Sequence, residues 1–342
     1  MRHPKDHYLP AAYLGGFSNS EERRLRKRTL WAARRHVGQA FRQSAENLGY
    51  SRGLYRLEEP IGANNDVNFA WERSEAELPR AMEELAQAAH RGTQIPARAW
   101  AKLVPFIAGL FVRAPEFEAR FEARMEDLLG DGFSEMLCPD NTQTARLFEL
   151  QRLYAPVMHA EWKLLINTSR RPLITNDLGY MLMAGPAPSG ADTSAKVAAS
   201  TDGLSPGDIA YFVPLSRDIA AILRFVPDRR VIVWWDEQAA DWWVDLESFE
   251  VNDEQVADAN RDLAASGLVE IYGARRDVVM AAHAGFELHT PRCAPGGTFL
   301  ADAGARDREM DFFKLLTVLG GELEEAVALG YSVIERDRNG GG

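Results

Sequence analysis

The strongest constraint on this fold is the change in hydrophobic period along the chain. Up to about residue 72 the apolar residues lie in short extended runs broken by turn residues. Between residues 73 and 160 they recur at steps of three and four, and after residue 161 they gather into short β-branched and aromatic runs. Steps of three and four mark helices that bury one face, and short β-branched runs mark strands. Neither an all-helical nor an all-β architecture holds both textures, so the sequence predicts an α+β fold. It has a basic β-rich N-terminal segment (1–72), a helical middle (73–160) and a mixed sheet with helices (161–335). Residues 1–335 read as a single domain, and "RDRNGGG" (336–342) as a frayed tail.

Within the first segment, "TLWAARR" and "QAFRQS" flank "HVGQ". This predicts a hairpin with Arg34, Arg35 and His36 at its tip. "YSRGLYRL" reads as another extended piece, and residues 60–72, with "IGANNDVNF", as a loop. The first helix is expected to open at Ser74 and Glu77, which have capping-box spacing, or at Pro79. Leu78, Met82, Leu85 and Ala89 follow on one face, and Gly92 ends it. "PARAWAKLVPFIAGLFVRAP" predicts a second helix kinked at Pro105, and "EFEARFEARMEDLLG" a third with Phe117, Phe121, Met125 and Leu128 in register. "TQTARLFELQRLYAPVMHAEW" predicts a fourth, interrupted or ended at Pro156. "WKLLINTS", "PLITND", "AYFVPLS", "RRVIVWW" and "LVEIYG" read as strands. Residues 185–208 form a long loop rich in small and polar residues. Asn252 with Gln255 caps a later helix, and "EMDFFKLLTVLGGELEEAVALG" predicts a last one.

A chain of 342 residues, 46% hydrophobic, can build a sizeable core without metal or disulfide staples. Its two cysteines, Cys138 and Cys293, fit a reducing compartment. The opening "MRHPKDHYLP" lacks the apolar core of a secretory signal, and no run approaches a membrane span. The expectation is a soluble cytoplasmic protein without a membrane partner. The net charge of −11 is unevenly spread. Residues 1–56 carry 12 Lys+Arg against 4 Asp+Glu, a balance of +8, and the remainder carries 27 against 46, or −19. A basic lobe on an acidic chain either binds anions such as nucleic acid or packs against the acidic remainder.

Motifs that would name a reaction are missing. The sequence has no His-Glu-x-x-His, no paired Cys-x-x-Cys, no phosphate-binding glycine loop and no Gly-x-Ser-x-Gly elbow. Pro139-Asp140 followed by Glu161-Trp162-Lys163 has the residue types of a metal-dependent nuclease. Asp140 and Glu161 would hold Mg²⁺ or Mn²⁺, and Lys163 would activate water. That chemistry needs the carboxylates on paired strands, whereas residues 142–160 read as helix. "RRPLITNDLGYM" ends an apolar strand in Thr175, Asn176 and Asp177. There Asp177 is a candidate metal ligand or general base, or else caps its own turn. Arg113 ends an apolar helix and needs a carboxylate or an anionic ligand. Ser216 ends another strand, where it either caps a turn or contacts substrate. In Trp234-Trp235 and Trp242-Trp243, one member of each pair is expected in the core and the other half-exposed, where it could stack on a base.

Taken in order, "HYLPAAYLGGF", "TLWAARRHVGQAFRQSAENL", "FVRAP", "WKLLINTSRRPLITNDLGYM" and "VPLS" resemble the segments of a family known only as domain of unknown function family 4238. The likeness runs over roughly residues 3–290. Where that family has Asn-Pro after the aspartate, this chain has Leu178-Gly179, which implies a different turn. The family carries no assigned activity. The resemblance singles out His7, Tyr13, Arg113, Asp177 and Ser216.

With Tyr13, Leu14 and Phe17 buried, His7 is expected at the rim beside Asp177 and Arg113. Together these residues suit a hydrolase acting on nucleic acid or a phosphate-bearing small molecule. His7 and Asp177 would move protons, Arg113 would neutralise phosphate, and Tyr13, Arg34, Arg35 and Ser216 would line the substrate. Mg²⁺ or Mn²⁺ would sit at Asp177 and Glu161. The alternative is a non-enzymatic module that binds nucleic acid or protein through its basic hairpin. A third reading is a small-molecule enzyme with residues 185–208 as a lid.

Overall fold

The computed structural model describes residues 5–61, 64–89, 94–119, 121, 139–184, 209–226, 231, 233–236 and 241–288. β1 (Lys5–His7) leads into the short helix α1 (Ala11–Gly15). β2 (Thr29–Arg34) and β3 (Val37–Ser44) form the expected antiparallel hairpin, with Arg35 and His36 in its turn. β4 (Tyr50–Arg52) pairs back onto β1, and β5 (Arg56–Ile61) pairs with β6 (Asn64–Asp66). The region expected as a loop over 60–72 therefore carries a strand.

α2 (Phe69–Ala89) starts earlier than the capping-box spacing at Ser74 predicts. The Ser74 hydroxyl instead donates to the carbonyl of Trp71, one turn back inside the helix. Burial of Trp71 against the core extends the helix backwards, so tertiary packing outweighs the local cap. Pro79 lies within this helix. β7 (Gln94–Pro96) precedes α3 (Ala97–Arg113), which is buried along nearly its whole length, and α4 (Pro139–His159) follows. Pro105 lies inside α3, and Pro156 lies inside α4 rather than ending it. Residues 139–159 are helix, so Pro139-Asp140 opens α4 and does not lie on a strand paired with Glu161.

The second half contributes β8 (Glu161–Asn167), β9 (Thr175–Asn176), β10 (Met181–Ala184), β11 (Ile209–Pro214) and β12 (Ile219–Arg224). Then come β13 (Val233–Asp236), β14 (Asp241–Asp245), β15 (Glu247–Val251), α5 (Asp253–Ser266), β16 (Glu270–Gly273) and α6 (Arg276–Leu288). α5 begins at the expected cap: the Asn252 side chain accepts from the backbone N–H groups of Glu254 and Gln255, and Gln255 reaches back to Asn252. β12, β15 and α6 were not foreseen from the sequence. Gly92, Cys138, Cys293, residues 185–208, the final helix expected near 309–330 and the tail lie outside the described residues, as does most of the helix expected at 116–130.

One sheet runs β10-β11-β12-β8-β15, antiparallel except for β15, which runs parallel to β8. The fold is therefore α+β with a mixed sheet. Successive side chains of a strand point to opposite faces, and here both faces are buried. Leu164, Ile166, Tyr211, Val213, Ala221 and Leu223 join the core built with α1, α2, α3 and α4. Leu165, Phe212, Ala220 and Ile222 face a second core made with α5 and α6, through Val256, Leu263, Val279 and Phe286. A one-residue slip would exchange the two sets, and each fully buried Leu, Ile or Phe contributes about 1.5–3 kcal/mol, so packing fixes the register. A second sheet, β3-β2-β16-β9, carries the basic hairpin. The third, β13-β14-β7, sets Trp234 opposite Trp243 and Trp235 opposite Trp242. Trp234 and Trp242 are buried and their neighbours partly exposed, as the sequence implied. Among the described residues no helix is long and apolar enough to cross a membrane.

Candidate functional site

The strand end "TND" is a polar knot inside the protein. Asn176 is fully buried and uses its whole amide. Its Nδ2 donates to the carbonyls of Tyr180 (3.0 Å) and Leu263 (2.9 Å), and its Oδ1 accepts from the N–H groups of Leu178 (3.1 Å) and Gly179 (2.9 Å). The chain can turn back this sharply because Gly179 adopts a positive φ of 77°, a conformation that disfavours any residue with a Cβ. Asp177 points the other way. Its carboxylate accepts from the backbone N–H groups of Leu268 (2.8 Å), Val269 (2.6 Å) and Glu270 (3.3 Å), which fixes the turn between α5 and β16. Burial pushes its pKa up to about 7, partly opposed by the Leu268 and Val269 N–H groups and reinforced by the charge of nearby Glu116.

Arg113 is 3% exposed and ties three elements together. Its guanidinium pairs with Glu75 on α2, donates to the backbone carbonyl of His7 on β1 (2.5 Å) and lies over the Trp71 ring at 5.0 Å. Arg113 and His7 are thus neighbours, through the His7 backbone. The His7 ring sits 3.3 Å from the Glu46 carbonyl and packs on Tyr50, and burial lowers its pKa. Asp177 engages a separate set of groups.

The remaining candidates are also held by the fold. The buried Tyr13 hydroxyl donates to the Pro214 carbonyl (2.7 Å) and contacts the Thr175 hydroxyl (2.9 Å). The Ser216 hydroxyl accepts from the Asp218 N–H within the β11–β12 turn. Glu161 pairs with Arg224 at 2.5 Å, and Lys163 with Glu247 at 2.9 Å across the parallel strand. Arg35 donates to the Gly267 carbonyl (2.8 Å) and covers the Phe286 ring, and Arg34 pairs with Glu270 (2.7 Å). Among the described residues no three His, Cys, Asp or Glu side chains converge to hold a metal ion.

Two groupings were not assembled residue by residue in the sequence reading. The first is a polar cluster on one face of the second sheet. Tyr8 lies beside Tyr272, Tyr272 donates to Glu270 (2.8 Å), and Glu270 accepts from Arg34, which lies over Phe41 at 5.3 Å. Burial raises both tyrosine pKa values, so both hydroxyls stay protonated at neutral pH. Asp177 and Glu116 lie close enough to act on this group electrostatically. The alternation of Glu270 and Tyr272 in "VEIYG" was its only sequence signal.

The second grouping is a set of cations before and on the hairpin. Arg23, Arg24, Arg26, Lys27 and Arg28 occupy five of six consecutive positions around a single 3₁₀ turn. Arg26 and Lys27 pair with Glu46, and Arg28 donates to the Glu22 carbonyl. Arg42 on β3 donates to the Thr29 hydroxyl (3.1 Å) at the start of β2. Arg23, Arg24 and Arg42 are exposed, and no carboxylate of the described residues pairs with them. The run "RRLRKR" was the signal for this group.

No curated protein and no solved structure matches the chain. A family does, over residues 5–277. Its match takes in the basic hairpin, the Asp177 knot and the first residues of α6, and the chain therefore belongs to the family described as "Protein of unknown function (DUF4238)".

Proposed function

We propose that this chain is a non-enzymatic module that grips the phosphate backbone of nucleic acid with its basic N-terminal segment. The observation that carries the reading is the exposed set Arg23, Arg24 and Arg42, three cations without an acidic partner among the described residues, two in the segment that leads into β2 and one on β3, which pairs with β2. A guanidinium left unpaired in water is a ready phosphate ligand, because its planar donors match two phosphate oxygens. Arg26, Lys27 and Arg28 add charge, while Glu21, Glu22 and Glu46 moderate it. Such a surface reads charge rather than base sequence.

The hydrolase reading, with Mg²⁺ or Mn²⁺ at Asp177 and Glu161, needs His7, Arg113 and Asp177 turned toward a substrate. In the fold His7 Nε2 faces the Glu46 carbonyl, Arg113 Nη2 is held by Glu75 and the His7 carbonyl, and the Asp177 carboxylate is held by the 268–270 backbone. The binding reading is tested by fluorescence anisotropy with a labelled single-stranded oligonucleotide. Substituting alanine at Arg23, Arg24 and Arg42 together is expected to weaken binding at least about tenfold at low salt. Equal affinity of the triple variant and wild type would overturn the reading.

A further inference from the structure

The strand order β3-β2-β16-β9 leaves β3 at one end of its sheet. An end strand presents a row of unpaired N–H and C=O groups, and proteins commonly shield such an edge with a helix, a loop or a proline. β3, "VGQAFRQS", has no proline, and its residues are exposed or partly exposed from Val37 to Ser44. Val37 is 46% exposed, and a Cβ placed on Gly38 would meet nothing within 4 Å. Among the described residues, β2 alone pairs with β3. At the hairpin turn Arg35 donates its N–H to the carbonyl of Val269, itself 50% exposed, so two exposed valines flank the arginine turn.

We propose that β3 is a docking edge to which an extended acidic segment of another protein adds as a further strand. Main-chain hydrogen bonds would supply affinity, and alternate side chains the choice of partner. Arg42 and Ala40 project to one face of β3, Phe41 and Gln43 to the other. A carboxylate arriving beside Arg42 meets an arginine that has no acidic partner among the described residues. Apolar residues arriving on the opposite face meet Phe41. The partner is therefore a stretch in which acidic and apolar residues alternate. A second copy of this chain fits poorly, because joining two β3 edges would bring together two segments that each carry a balance of +8. The proposal does not depend on phosphate binding, since the segment carries none.

The test is anisotropy with a fluorescein-labelled peptide of alternating glutamate and valine, together with two twins. One twin carries N-methyl groups on alternate backbone amides, and the other has lysine in place of glutamate. Saturable binding is expected, weakened at least about tenfold by N-methylation, by the lysine exchange and by Arg42→Glu, because each removes hydrogen bonds or the charge pair. Amide exchange in the unaltered protein is expected to slow across residues 37–44 when the glutamate peptide is added. Equal binding of the N-methyl twin would reduce the contact to charge alone and overturn strand addition. Absence of binding, or sedimentation showing that the chain self-associates through β3, would overturn it as well.

Discussion

Replacing Asp177 with asparagine should change stability in a way that depends on pH, and with a definite sign. The carboxyl is 5% exposed, and its pKa in the folded protein lies at about 7 against an ordinary value of 3.8. The folded state therefore takes up this proton more readily than the unfolded chain. On this group alone, stability is fully present below about pH 4 and is lost as pH rises through about 7. A shift of about three units corresponds to roughly 4 kcal/mol, of which roughly 2–3 kcal/mol falls between pH 5 and pH 8. Asparagine does not titrate, so the advantage of wild type over Asp177→Asn should shrink by that amount from pH 5 to pH 8. Asparagine also turns an N–H₂ group toward a backbone that offers donors, which adds a pH-independent loss of about 1–3 kcal/mol. Urea unfolding of both proteins at several pH values measures the difference directly. The groups acting on Asp177, namely Glu116, Glu270, Tyr8, Tyr272 and Arg35, are present in both proteins. A difference that stays constant from pH 5 to pH 8, or grows with pH, would refute the argument that burial governs this carboxyl.

Two further substitutions test the same knot. Gly179→Ala places a Cβ at a positive φ and within 3.0–3.1 Å of the Leu110 and Leu9 side chains, and should cost about 1–3 kcal/mol in a urea titration. Tyr13→Phe removes the hydroxyl that joins α1 to β9 and β11 and should cost about 1–2 kcal/mol, whereas an unchanged urea midpoint would show that the bond contributes nothing net.

Much of the frame was legible in the sequence because it rests on local chemistry. The hairpin around Arg35 and His36, the Asn252 cap and the split of each tryptophan pair between core and surface all follow from spacing and turn residues. The start of α2 did not, because burial of Trp71 overrides the Ser74 signal. The prolines at 79 and 156 misled for a similar reason, since helices packed on a core tolerate the lost N–H. The sequence singled out Asp177, Arg113, Tyr13 and Ser216 as polar residues at the ends of helices and strands. It could not show that their partners are backbone groups, because Leu268, Val269, Pro214 and the His7 carbonyl come near only through the fold. The Tyr8, Tyr272, Glu270 and Arg34 cluster was hidden for the same reason: two members come from the first 34 residues and two from residues 270–272.

The salt dependence of oligonucleotide binding tests the phosphate-gripping account most directly. Anisotropy titrations of wild type and the Arg23→Ala/Arg24→Ala/Arg42→Ala variant with a labelled single strand, from 50 to 200 mM salt as an approximate range, yield the slope of log K against log salt. Each phosphate contact adds about 0.7 to the steepness of that slope, so losing three should flatten it by about 2. A flatter slope in the variant is the predicted result. No measurable binding by wild type at low salt, or identical slopes for the two proteins, would contradict the account.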